Sequence, residues 1–260
     1  MTLPDLNNLI WSTIPEEEQK AFILLAVPIW FDEELGQKLL SAFSAGPSFL
    51  VAQVTRYHHI VYRYEEESWH IDEGLRDFLL KKVEEFGLDL LAVHALLIEH
   101  YQAAAQTATR FCKQEYIYLR LYHQVQADVR VGLRAVFKEY LALKERDRQL
   151  RLPSLVRLCE TVPVKVDTEP EYRLLKIRTL LFHTSCKKVD LEEFRDELKA
   201  LAYDIEEEIL AEEANRFLLA VLAQLPASKP NLNLAHCVRA FSPQHIPLFR
   251  GYNLDSQAQA

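Results

Sequence analysis

At 260 residues the chain can hold one large domain or two small ones, and its 49% apolar content supports a sizeable core rather than extended disorder. A net charge of −8 provides no global field for nucleic acid or an anionic membrane, and a count of only 6 glycines disfavours Gly-rich phosphate loops and turn-dense β folds. The four cysteines, Cys112, Cys159, Cys186 and Cys237, are far apart and contain no CxxC pair, which is neither a disulfide framework nor a zinc site and suits a reducing compartment. Asp5 and the Glu16, Glu17, Glu18 run replace the basic n-region of a secretory signal, and no apolar run reaches the about 18 residues of a membrane span. A cytoplasmic protein without a membrane partner is the expectation.

Residues 5–14 place Leu6, Leu9, Ile10 and Ile14 on one helical face. Pro15 opens a second helix with an acidic first turn, ending at Pro28. Asp32 caps a third, with Leu35, Leu39 and Leu40 facing inward. Residues 44–47 (SAGP) read as a turn, and residues 49–54 (FLVAQV) and 58–64 as strands. Trp69 to Ile71 is a third strand across a Glu-rich turn. Around Tyr62 and Tyr64 the apolar period is two, and from Leu75 through Phe78, Leu79 and Val83 it is helical, so residues 60–83 mark a strand feeding a helix capped at Asp72 and ended by Gly87.

Helical patterns then cover residues 88–112 and 114–126 and a segment opened by Asp128. Residues 144–151 (KERDRQLR) read as a charged tail or turn, and Pro153 as the opening of a short helix to Thr161. Residues 162–167 are a linker and 169–184 a helix. Asp190 and Glu193 form a capping box for one long helix that ends at Pro226, with a phase slip near Glu212 and Glu213. The tail from Ala227 is irregular. The expected architecture is mainly α: a winged-helix-like N-terminal domain with a small β wing (1–86), a TPR-like antiparallel helical array (87–162), a C-terminal helical hairpin (163–226) and a docked irregular tail (227–260).

Ile14-Pro15 before an acidic helix start, the LLAVP run from Leu24 to Pro28, and Phe31-Asp32 resemble the winged-helix segment that follows the nucleotide-binding core in STAND-family signalling ATPases. So do Tyr62, Tyr64, His70, Glu73 and the run Arg76 to Leu80. His94, Tyr101, Tyr122-His123 and Asp128 look like the helical arms beside such modules. The resemblance covers roughly residues 8 to 145. No GxxxxGK[ST] occurs, so the nucleotide-binding core is absent and switching by ATP is not implied. What the resemblance implies is a regulatory block packed on other protein.

No pattern carries catalysis, a cofactor or a metal. His58 and His59 are neighbours on an expected strand and point apart. His70, Asp72 and Glu73 cluster at the strand–helix junction, where Asp72 is better explained as a cap. His94 and His100 miss the i, i+4 face, no GxSxG elbow exists, and the Glu206 to Glu213 acids read as a wet helix face. Tyr101, Tyr116, Tyr118 and Tyr122 are the candidates for a partner-binding groove, with inter-helix packing as the plain alternative. For nucleic acid the candidates are Arg56, Arg63, Lys144, Arg146 and Arg148, but the last three are interleaved with acids and the helix FDEELGQKLL before the expected wing is itself acidic. The expected function is therefore non-catalytic: an adaptor or regulatory subunit of a larger bacterial signalling or defence assembly that binds another protein. A DNA-binding transcription regulator is the alternative.

Overall fold

The computed structural model describes residues 3–43, 51–65, 67–161, 166–182, 188–204 and 208–224. They are mainly helical, with twelve helices and one three-stranded antiparallel sheet among the described residues. Two compact units divide between Tyr172 and Arg173.

The first unit is built around α2 (Glu16–Ala26). Every residue from Ala21 to Ala26 is buried, so this helix is apolar on all sides in its second half and must be enclosed. α1 (Leu3–Thr13) precedes it and α3 (Glu33–Ala42) follows. Asp32 caps α3 as expected, its carboxylate accepting from the Leu35 N–H at 2.7 Å. α4 is a short helical turn, Val51–Val54. The strands are β1 (Phe31–Asp32), β2 (Val61–Glu65) and β3 (Ser68–Ile71), in the order β1-β3-β2. Phe31 pairs with Trp69, Tyr62 with His70 and Val61 with Ile71; the β2–β3 register slips between Arg63 and Glu65. β3 runs into α5 (Glu73–Leu80), and Asp72 caps it, accepting from the Leu75 N–H at 3.1 Å.

Four helices follow: α6 (Leu90–Thr107), α7 (Arg110–Ala127), α8 (Val129–Ala142) and α9 (Glu145–Glu160). Links of one or two residues force α7, α8 and α9 each onto its predecessor. One core runs through α2, α3, the sheet, α5, α6 and Leu119 of α7, so the first helical arms share the core of the N-terminal half. α10 (Pro170–Phe182) crosses the unit division. In the second unit α11 (Lys188–Asp204) and α12 (Glu208–Gln224) pack together, Arg173 pairs with Glu197 at 2.8 Å, and Arg178 lies over Phe217. No helix among the described residues is long and apolar enough to cross a membrane.

Several expected elements are corrected. The strand expected over 49–54 is helical where described, with Val51 and Val54 buried three positions apart; residues 44–50, with the expected turn, lie outside the described residues. The strand expected at Trp69 to Ile71 is present as β3, and the place in the sheet expected for 49–54 is taken by β1, just before α3. The helix before the β2–β3 hairpin is thus α4, not FDEELGQKLL. The strand expected from His58 begins only at Val61, because the Tyr57 carbonyl accepts from both the Ile60 and Val61 N–H groups and closes a turn. α5 ends at Leu80; Gly87, at φ +61, closes the turns after it.

The KERDRQLR run is helix, not tail, and Pro153 sits inside α9 rather than opening a helix. Burial of Leu152, Leu155, Leu158 and Cys159 holds that helix together across the proline. The long helix expected from Asp190 is two helices, α11 and α12, that pack on each other, which a continuous helix cannot do; Asp190 lies within the first turn of α11. The irregular tail, 227–260, lies outside the described residues.

Candidate functional site

A cleft of about 710 Å³ opens between the sheet, the N-terminus of α3 and the first turns of α7. Four aromatic side chains line it: Trp30, Tyr64, Trp69 and Tyr116. Five carboxylates line it too, Asp32, Glu33, Glu34, Glu67 and Glu115, with Ser68 and Cys112, and among the described residues no lysine or arginine lines it.

Local rules explain most of these positions. Trp30 follows the Pro28 that bars continuation of α2. Glu33 and Glu34 occupy the first turn of α3, where the macrodipole favours acids. Tyr64 falls at the β2 register slip, and such bulges re-aim a side chain. Its ring lies nearly parallel to Trp30, centroids 6.1 Å apart at 8°, and is 50% exposed. The Trp30 indole N–H donates to Glu115 Oε1 at 3.1 Å, tying the loop to α7. Tyr116 meets Trp30 at 6.2 Å and Tyr101 at 6.2 Å.

Behind this wall the rings continue into the core. Tyr101 is fully buried and stacks on His123 at 5.6 Å and 6°. His123 Nδ1 is 3.0 Å from His94 Nδ1, so one ring donates and the other accepts, and both are buried. Burial first, and then the Arg76 guanidinium, push His94 down to about 4; burial, His94 and Arg76 hold His123 well below its ordinary value. Both imidazoles are therefore neutral at physiological pH. Arg76 itself donates to Ala26 O (2.8 Å), Val27 O (3.1 Å) and the Tyr122 hydroxyl (3.0 Å). Those carbonyls end α2 without helical partners, so α5 caps α2 and is tied to α7 by one side chain.

The four candidate tyrosines do not share a surface. Tyr101 and Tyr122 are buried, Tyr116 lines the cleft, and Tyr118 lines a separate cavity of about 250 Å³ with Leu121, Leu143 and Leu155. Tyr116 and Tyr118 are two positions apart on a helix, which sends them to opposite sides. Among the basic candidates, Arg56, Arg63 and Lys144 are exposed on separate elements. Arg148 donates to Leu141 O (2.7 Å) and Leu143 O (2.9 Å) and lies over Tyr140, so it serves the end of α8. The side chain of Arg146 lies outside the described residues.

His58 and His59 are exposed in the turn before β2, and His70 stacks on Tyr62 at 5.9 Å. Among the described residues no three His, Cys, Asp or Glu side chains converge closely enough to hold a metal ion. Trp30, Glu115 and the His94–His123 pair are candidate functional positions that no spacing along the sequence marked. Only the indole of Trp30, polar-tipped and next to an acidic helix start, offered a local signal. No protein-family model, characterised protein or solved structure matches the chain.

Proposed function

We propose that this chain is a non-catalytic protein-interaction module, an adaptor or regulatory subunit of a larger bacterial signalling or defence assembly, acting in the cytoplasm. The observation that carries the reading is the aromatic cleft at Trp30, an open concavity on a base fixed by Arg76. Aromatic side chains at an accessible concavity are what partner recognition uses. The histidines best suited to proton chemistry lie in the core, away from the solvent that a substrate would come from. In this reading residues 1–86 are winged-helix-like, with α2, α3 and α4 as the helical trio and β2–β3 as the wing, and residues 87–162 are a TPR-like array. The resemblance to STAND regulatory segments rests on the motif residues alone.

A DNA-reading winged helix is the weaker alternative. The helix before the hairpin, α4, carries no charged residue, the concave face is acidic, and Arg148 is engaged within its own helices. The test is reconstitution. A partner captured by the tagged chain is purified and its affinity measured for the wild type and for Tyr64→Ala, whose side chain is half exposed. Weakened binding by the variant supports the reading. Tight, steeply salt-dependent binding of random duplex DNA, unchanged in Tyr64→Ala, overturns it.

A further inference from the structure

We infer that the Trp30 cleft seats the ammonium or guanidinium head of a lysine or arginine from a basic segment of the partner protein. This rests on the protein-interaction reading above and specifies its chemistry. The cleft combines the two features a cationic side chain needs: ring faces that attract a cation through their quadrupole, and carboxylates that neutralise it.

Four rings and five carboxylates meet there, and among the described residues no lysine or arginine lines the cleft to balance that negative charge. The Trp30–Glu115 hydrogen bond serves both features. A carboxylate accepting from the indole N–H enriches the ring's π density, and the same bond holds Glu115 in place at the wall. Tyr64, half exposed and parallel to Trp30, is the accessible ring.

The dimensions agree with a segment rather than a lone ion. A volume of about 710 Å³ exceeds one side chain and takes a short stretch of peptide. The chain's net charge of −8 steers a basic segment toward it and disfavours an acidic one. Carboxylates and ring faces also explain why neither a phosphate backbone nor an anionic lipid fits this concavity.

The experiment titrates the full chain at low salt with a short peptide of alternating glycine and lysine, its lysine-acetylated twin, and the glutamate counterpart. Calorimetry reads affinity and tryptophan fluorescence reads the cleft. The lysine peptide should bind and the glutamate peptide should not. Acetylation, which removes the charge and keeps the stem, should weaken binding by about tenfold, and Tyr64→Ala or Glu115→Gln by about fivefold each. Circular dichroism of both variants guards against unfolding, and Tyr64→Ala, at a half-exposed site, is the safer of the two. Equal binding of the acetylated peptide, or binding indifferent to both variants, overturns the inference. A partner lost with Tyr64→Ala, combined with indifference to these peptides, sinks the cationic occupant and leaves the interaction reading standing. If partner capture is also indifferent to Tyr64→Ala, both fall.

Discussion

Acidification probes the buried imidazole pair directly. In the unfolded chain each histidine titrates near about 6.5. In the folded chain burial and then Arg76 hold His94 down to about 4, and His123 is shifted the same way by burial, His94 and Arg76. Below the unfolded value the unfolded state therefore binds more protons, and stability rises with pH. The contribution is fully present above about 6.5 and is lost as the pH falls towards the folded value. For His94 alone the loss is about 2 kcal/mol by about pH 5 and about 3 kcal/mol once the pH is below both values. His123 adds to it with the same sign.

Urea unfolding followed by tryptophan fluorescence is the assay, because Trp11, Trp30 and Trp69 all lie in the first unit. His94→Asn keeps hydrogen-bonding groups near His123 but does not titrate, and surface carboxylates contribute equally to both proteins. Between about pH 7.5 and about pH 5 the wild type should lose about 2 kcal/mol more than the variant. Parallel losses, or imidazole resonances that titrate near the ordinary histidine value in the folded protein, would refute the buried neutral pair.

Three further outcomes follow from the packing. A Cβ on Gly132 would stand 2.3 Å from Val125 Cα and 2.5 Å from Val125 N, backbone atoms that cannot turn aside. Gly132→Ala should therefore destabilise by about 1–3 kcal/mol despite a helix-propensity gain of about 1 kcal/mol; a stabilised variant in thermal unfolding would deny the α7–α8 approach. Arg76→Leu should cost about 2–4 kcal/mol by stranding the Ala26 and Val27 carbonyls, and a double-mutant cycle with Tyr122→Phe should return a coupling of about 1 kcal/mol. A coupling near zero would mean the Arg76–Tyr122 bond contributes nothing. Cys112 is exposed, whereas Cys159 is buried with its thiol pushed up to about 12 by burial first and then Glu160. Iodoacetamide at neutral pH should alkylate Cys112 in the folded protein and Cys159 only after unfolding, as peptide mass spectrometry would read; early labelling of Cys159 would contradict the packing of α9.

Local chemistry made much of the helix layout legible. Asp32, Asp72 and Asp128 each accept from the N–H three residues on, and that interaction needs only neighbouring chain. The strand-to-helix switch at Ile71–Asp72 was legible for the same reason: a change of apolar period is a local signal. Where local signals compete, they misled. β-branched Val51 and Val54 suit a strand, yet burial on a helical turn decided their conformation. The charges of KERDRQLR hid a helix whose apolar residues come later in the same element.

By itself, the sequence determined that the protein would be mainly helical, where most caps would fall, and that a short hairpin would precede the helical arms. Those outcomes follow from interactions within a few residues. Only the tertiary structure decided that Tyr116 would face a cleft while Tyr101 lay buried, that His94 would meet His123 across 29 residues, and that Glu115 would reach Trp30 across 85. Such pairings depend on how helices cross and on which side of each remains open to water, and no spacing along one element encodes that.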